Sequence, residues 1–220
     1  MIKNSNREIE LKVSADGSHT LYVPELEEHY HSVNGAINES MHVFIEPNLQ
    51  YCTLPQISVL EIGFGTGLNA LLTAIHQGKK SVFYHSLEKY PIEISLAQQL
   101  NYCQNAEEQQ LFEKMHQAEW QKETSINQQF TLLKEETDLL STGFNRMYDL
   151  VYFDAFAPEK QPEMWSRDIF QKIYDAMNEG GILTTYCAKG VVRRTMQACG
   201  FTVERLPGPK GKREMLRAVK

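Results

Sequence analysis

The chain has too little cysteine, and too dispersed, for a disulfide framework or a zinc site. Its four cysteines (Cys52, Cys103, Cys187, Cys199) form no C-x-x-C pair and read as reduced thiols. No clustered His/Cys set suggests a metal, so none is expected. No apolar run approaches the roughly 20 residues needed to span a bilayer, and Met1-Ile2-Lys3-Asn4-Ser5 lacks the apolar core of a signal peptide. The expectation is a cytoplasmic protein without a membrane partner. Internal repeats and low-complexity linkers are also missing. A net charge of −6 by itself argues against nucleic acid, but the charge is unevenly placed. From Lys189 to Lys220 the chain carries net +7, leaving −13 for the remainder. A basic C-terminal face on an acidic body is either a phosphate-binding patch or a solvated surface, and charge counting does not separate the two.

What is present is a pattern of strands and helices. From Ile57 onward, β-branched runs alternate with helical periodicity. Predicted strands cover Ile57–Ile62, Ser81–Leu87, Phe130–Leu133, Leu150–Phe153 and Ile182–Tyr186. Helices are expected through Ile75, from Pro91 to about Asn101, at Thr137–Leu140, over Arg167–Met177 and over Gly190–Cys199. This alternation predicts an α/β fold with a mostly parallel sheet covered on both faces. Two final runs, Phe201–Leu206 and Arg213–Val219, have no helix between them and predict a terminal antiparallel strand. Residues 1–50 read as an extension on a 51–220 domain: a hairpin over 7–23, turned at Asp16-Gly17, then a more helical stretch from Glu25 to Asn48. This extension either roofs the site or packs as plain core. The Gln-rich stretch 104–129 reads as an inserted surface helix region.

The chain is organised around Val59-Leu-Glu61-Ile-Gly63-Phe64-Gly65-Thr66-Gly67-Leu68-Asn69. Glycines there let the backbone turn sharply and approach a ligand, and the helix that follows offers free N–H groups. A dinucleotide fingerprint needs G-x-G-x-x-G, and Leu68 stands where its third glycine would be. No Gly-Lys-Ser/Thr follows, which excludes a triphosphate P-loop. Glu61 would repel a pyrophosphate but suits a cationic or zwitterionic ligand. The arrangement resembles motif I of the Rossmann-like, class I S-adenosylmethionine-dependent methyltransferases.

Acids recur at later predicted strand ends: Glu88 with Lys89 beside it, Glu135 and Glu136, and Asp154. Ligands of open α/β sheets bind at those ends. Glu88 lies 21 residues past Gly67, near the spacing of about 20 at which an acid meets ribose hydroxyls. Asp154 heads Asp-Ala-Phe156-Ala-Pro158, an acid beside an apolar wall to which Trp165 would contribute. Methylating an alkylamine requires such an acceptor, because most alkylamines are protonated at neutral pH and must present a lone pair in line.

The run Asp154-Ala-Phe-Ala-Pro-Glu-Lys-Gln-Pro-Glu-Met-Trp165 resembles the D-x-F-A-P-x-K-x-P-x-M-W signature of tRNA wobble-uridine methyltransferases. These are the methyltransferase half of the bifunctional MnmC enzyme and its stand-alone MnmD counterparts. Tyr30-His31-Ser32 with Glu39-Ser40, the motif I run, Gly190–Arg194 and Lys212–Leu216 resemble the same family in the same order. The resemblance implies methyl transfer from S-adenosylmethionine to the exocyclic amine of 5-aminomethyl-(2-thio)uridine at the tRNA wobble position. It implies Asp154 as the catalytic residue. Glu61, Gly63, Phe64, Gly65, Thr66, Gly67, Asn69, Glu88, Lys89 and Asp154 would hold the cofactor, with Glu135 or Glu136 at its adenine. Tyr30, Ser32, Phe156, Pro158 and Trp165 would meet the nucleoside, and Lys189, Arg193, Arg194, Lys212 and Arg213 the tRNA phosphates. Lys134-Glu135 departs from the family's Gly-Asp at the adenine position. With no oxidase half in view, the chain is expected only to methylate, its aminomethyl substrate coming from a separate enzyme. A methyltransferase acting on another amine and a non-catalytic cofactor-binding module are the competing readings.

Overall fold

The computed structural model describes residues 2–4 and 7–220. Strands β1 (Ile2–Asn4), β2 (Arg7–Val13), β3 (His19–Val23) and β4 (Glu28–His29) form a small antiparallel sheet in that order. The expected helix from Glu25 is not there. A turn and β4 come first, and helix α1 (Ala36–Ser40) begins only at Ala36, running on as a π-helical segment, Met41–Leu49. The reason is a cap supplied from outside the segment. The β2–β3 turn offers Ser18 Oγ to the Ala36 N–H (3.1 Å) and Asp16 Oδ2 to the Asn38 N–H (3.1 Å). Those bonds satisfy helix-end donors that would otherwise be orphaned.

The main sheet follows: β5 (Gln56–Ile62), α2 (Leu68–His76), β6 (Ser81–Glu88), α3 (Ile94–Ala97), α4 (Ala106–Gln117), β7 (Thr124–Asn127), β8 (Phe130–Glu136), β9 (Tyr148–Phe153), a 3-10 turn (Pro162–Trp165), α5 (Arg167–Asp175), β10 (Met177–Thr185), α6 (Gly190–Ala198), β11 (Thr202–Pro207) and β12 (Glu214–Val219). Its strand order is β11-β12-β10-β9-β5-β6-β8-β7. The five strands from β10 to β8 are mutually parallel, while β12 and β7 run antiparallel to their neighbours. The order reverses between β5 and β9, where both strands leave their carboxyl ends beside one crevice.

Three local expectations change. The 104–129 stretch is not all surface helix, because Thr124–Asn127 adds an antiparallel edge strand to β8. Thr137–Leu140 is a turn rather than a helix, and the Pro91–Asn101 region holds only the short α3.

Cores form on both faces. On one, Phe44, Ile45 and Leu49 from the π-helical segment, Leu68, Leu71 and Leu72 from α2, and Phe112 and Met115 from α4 cover the sheet. Residues 36–49 therefore share the main core. Asn48 Nδ2 ties them to the sheet, donating to the Val151 carbonyl (3.2 Å) and Thr184 Oγ1 (3.0 Å). On the other face, Phe170 and Ile173 of α5 and Val192 and Met196 of α6 pack on Leu60, Val151 and Phe153. Among the described residues no helix is long and apolar enough to cross a membrane.

Candidate active site

The glycine turn between β5 and α2 is built by close approach. Gly63, Gly65 and Gly67 all have positive φ, at 95°, 51° and 76°. A Cβ on Gly65 would stand 2.9 Å from the Tyr30 ring, and one on Gly67 would stand 2.8 Å from His116 Nε2. Three side chains hold the turn in place. The Gly65 N–H donates to Glu88 Oε2 (2.9 Å), while the Thr66 hydroxyl meets His31 Nε2 (2.7 Å) and its carbonyl meets His116 Nε2 (3.1 Å). Burial lowers the pKa of both histidines to about 4, so both rings are neutral at physiological pH.

In front of the turn lies an apolar-walled crevice of about 790 Å³, open solvent at its mouth included. It runs from Tyr30 and Phe156, past Asp154, Gly63 and Gly65, to Glu88, Lys89, Thr137, Asp138 and Leu139. Tyr30 and Phe156 meet edge to face, their ring centroids 5.4 Å apart. The Tyr90 N–H donates to Glu88 Oε1 (2.7 Å), so two backbone bonds orient that carboxylate at the crevice wall.

Asp154 follows the last residue of β9 and is partly exposed to the crevice. Asn69 Nδ2 donates to its Oδ2 at 2.9 Å. Burial pushes its pKa up to about 7, the Glu39 carboxylate adds to the rise, and the Asn69 hydrogen bond and Lys212 oppose it.

Of the residues expected at the cofactor, Gly63, Phe64, Gly65, Glu88, Lys89 and Asp154 line the crevice. Glu61, Thr66, Gly67 and Asn69 stand behind it. Glu61 is fully buried beneath the first turn of α2, accepts from Ser86 Oγ (2.6 Å), and is pushed to a pKa of about 8 chiefly by burial. Side chains alternate along β5, which turns Glu61 onto the α2 face rather than toward a ligand.

Glu135 and Glu136 are displaced as well. Strand β8 pairs with β6 as far as Glu88↔Glu136, three residues past the predicted end. Glu135 consequently faces His85 (3.3 Å), and Thr137 and Asp138 take the place at the crevice. The missed signal was Asp138 itself, an acid that follows once the strand is given its full length.

The expected substrate residues divide in the same way. Tyr30 and Phe156 line the crevice, but Ser32 does not; its N–H donates to Glu39 Oε2 (2.7 Å). Trp165 is a core residue whose Nε1 donates to the Phe156 carbonyl (2.8 Å), and Met164 and Gln161 stand at the crevice instead. Pro158, Lys189, Lys212 and Arg213 line a second, open cleft together with Tyr186. Within the basic segment many charges are already engaged. Lys189 pairs with Glu159, Lys212 with Glu39, Arg217 with Glu204 and Arg205 with Glu214, and Arg193 Nη1 donates to Gln197. Among the described residues Arg194, Lys210 and Arg213 are exposed with no carboxylate at ion-pair distance. Sequence reasoning missed Glu39 and Tyr186, because tertiary contact alone brings Glu39 to Lys212 and the Tyr186 hydroxyl to the Ala155 carbonyl.

The fold agrees with known proteins. MNMC2 from Aquifex aeolicus matches with a TM-score of 0.80 at 27% identity, over 98% of this chain and 71% of that one. Spermidine synthase from Thermotoga maritima shares the fold, with a TM-score of 0.66 at 12% identity over 99% of this chain and 70% of that one. Residues 97–220 match the S-adenosyl-L-methionine-dependent methyltransferases, and with its glycine turn, its crevice and Asp154 the chain belongs to that family, as a methyltransferase of the MnmC type.

Proposed function

We propose that the protein transfers a methyl group from S-adenosylmethionine to the exocyclic amine of 5-aminomethyl-(2-thio)uridine at the wobble position of tRNA, in the cytoplasm, after another enzyme has supplied the aminomethyl group. The carrying observation is Asp154, a carboxyl at a strand end, anchored by Asn69, facing the crevice with a pKa near 7. The similarity to MNMC2 supports the choice of acceptor.

When bound, the cofactor supplies an electrophilic methyl carbon on a sulfonium. The close-packed turn at Gly63 and Gly65 leaves backbone where side chains would block a ligand, which suits the methionine part of the cofactor. Glu88 suits the ribose hydroxyls, since carboxylates accept from a cis-diol. Thr137, Asp138 and Leu139 line the same crevice and suit the adenine. The 1–50 extension would roof the acceptor through Tyr30 on the 51–220 methyltransferase unit. Asp154 would orient the amine and accept the proton that the nitrogen gives up on methylation. Tyr30 and Phe156 keep water from the amine. Lys189, Arg194 and Arg213, around the second cleft and on α6, suit phosphates.

The test is incubation with S-adenosylmethionine and tRNA bearing 5-aminomethyl-2-thiouridine, followed by nucleoside digestion. The expected product is the methylaminomethyl nucleoside. Cofactor binding without that product would overturn the tRNA reading and favour another amine.

A further inference from the structure

We propose that Glu39 and the face of Tyr186 form an ammonium-selecting niche beside Asp154, which Lys212 fills in the free protein and the acceptor's own ammonium takes over on binding. The inference rests on the reading above that the acceptor is a primary amine. It assigns Glu39 and Tyr186 to specificity, and it makes Lys212 a stand-in for substrate.

The fixed parts of the niche are well held. Glu39 lies on α1 with its side chain 10% exposed, and its Oε2 accepts the Ser32 N–H at 2.7 Å. The Tyr186 hydroxyl donates to the carbonyl of Ala155, the residue after Asp154, at 2.9 Å, which pins the ring beside the candidate base. A carboxylate and an aromatic face together are what recognise a desolvated ammonium.

The resident group is itself a primary ammonium. Lys212 Nζ stands 2.6 Å from Glu39 Oε1 and 3.9 Å from the centroid of the Tyr186 ring. Its side chain is 34% exposed and lines the open cleft with Pro158 and Arg213. It extends from the β11–β12 turn, next to Gly211 (φ 88°), where a Cβ would run into the Asn34 side chain. A flexible four-carbon stem can leave the niche for that cleft, whereas Glu39 and Tyr186 cannot follow it.

The surroundings of Asp154 suit the exchange. Asn69 from α2 donates to it, and the charged and titratable groups whose electrostatics reach it are Glu39 from α1, Lys212 from the β11–β12 turn, Glu61 from β5 and Tyr186 after β10. Glu39 and Lys212 push its proton affinity in opposite directions, so both charges are felt at the carboxyl. Replacing the lysine by an acceptor ammonium preserves the charge balance and brings a transferable proton to Asp154. A hydroxyl acceptor would leave Glu39 buried without its counter-ion, and the niche would reject it.

Chemical rescue tests the niche with no tRNA present. In the full chain, Lys212→Ala vacates it, and ethylammonium chloride is then titrated while the melting temperature is followed. The expected result is a saturable rise beyond that given by equal sodium chloride, absent from the wild type and from the Glu39→Gln/Lys212→Ala double variant. No rise beyond salt, or the same rise in the double variant, overturns the proposal. Lys212→Gln carries the same comparison if the alanine variant does not fold. Rescue without product on any tRNA would keep the niche and sink the tRNA reading. With an active acceptor, removing an internal competitor lowers KM in Lys212→Ala by about the fraction of protein that the lysine had blocked. Glu39→Gln raises KM. A raised KM in both variants would make Lys212 a binding residue and overturn the exchange.

Discussion

The Asn69 side chain, on the first turn of α2, donates a 2.9 Å hydrogen bond to Asp154 Oδ2 past the end of β9. It links the helix that leaves the glycine turn to the candidate base, across the point where strand order reverses. Hydrogen bonds to charged groups are worth about 1.5–3 kcal/mol, or roughly 10- to 100-fold in rate. Asn69→Ala should therefore lower single-turnover methyl transfer by that factor. Cofactor affinity, read by calorimetry, should change far less, since Asn69 does not line the crevice.

The role proposed for Asp154 as a base requires its carboxyl to be ionised. With its pKa raised to about 7, kcat/KM should rise with pH through about 7 and then level off. Asp154→Asn should lower turnover by about 100-fold or more and abolish that limb, with cofactor binding retained. A wild-type profile that is flat across neutrality would remove Asp154 from the role.

Glu61 makes a stability prediction of opposite sign to a salt-bridged acid. Its folded pKa of about 8 lies above its ordinary value of 4.5, so between those values the folded state holds a proton that the unfolded state has lost. Its contribution to stability therefore falls as pH rises from 4.5 to about 8. Glu61→Gln should flatten that slope and raise Tm at the alkaline end by roughly several degrees, given about 2–4 °C per kcal/mol at this size. Thermal melts across the range check it.

Gly65→Ala places a methyl at φ 51°, 2.9 Å from the Tyr30 ring. Left-handed backbone at a non-glycine residue costs about 1–3 kcal/mol, and Tyr30 must move off the crevice wall. Both stability and cofactor affinity should drop, as denaturant midpoints and calorimetry would read.

Arg213→Ala and Arg194→Ala should each weaken tRNA binding and reduce the salt slope by about one. Arg217→Ala, whose guanidinium is paired with Glu204, should leave that slope unchanged. Equal slopes in all three would remove the basic segment from the interface.

Much of this was determined by local sequence. The period-two runs, the helical spacing between them and the three alternating glycines specify a parallel α/β sheet with a cofactor turn after its first long strand. They do so because strand, turn and helix each depend on neighbours within a few residues. Asp154 was legible for the same reason, as an acid ending an apolar strand.

Tertiary structure decided which acids serve the site. Pairing with β6 carried β8 on to Glu136, which turned Glu135 toward His85 and brought Asp138 to the crevice. Burial under α2 converted Glu61 from an expected ligand contact into a buried carboxyl behind the glycine turn. Lys212 met Glu39 across 173 positions of sequence, and that contact engaged an expected phosphate ligand in an ion pair. Long-range packing sets such pairings, and no spacing rule within one segment encodes them. The chain's local chemistry thus announced a methyltransferase crevice, and its folding selected the charges that stand around Asp154.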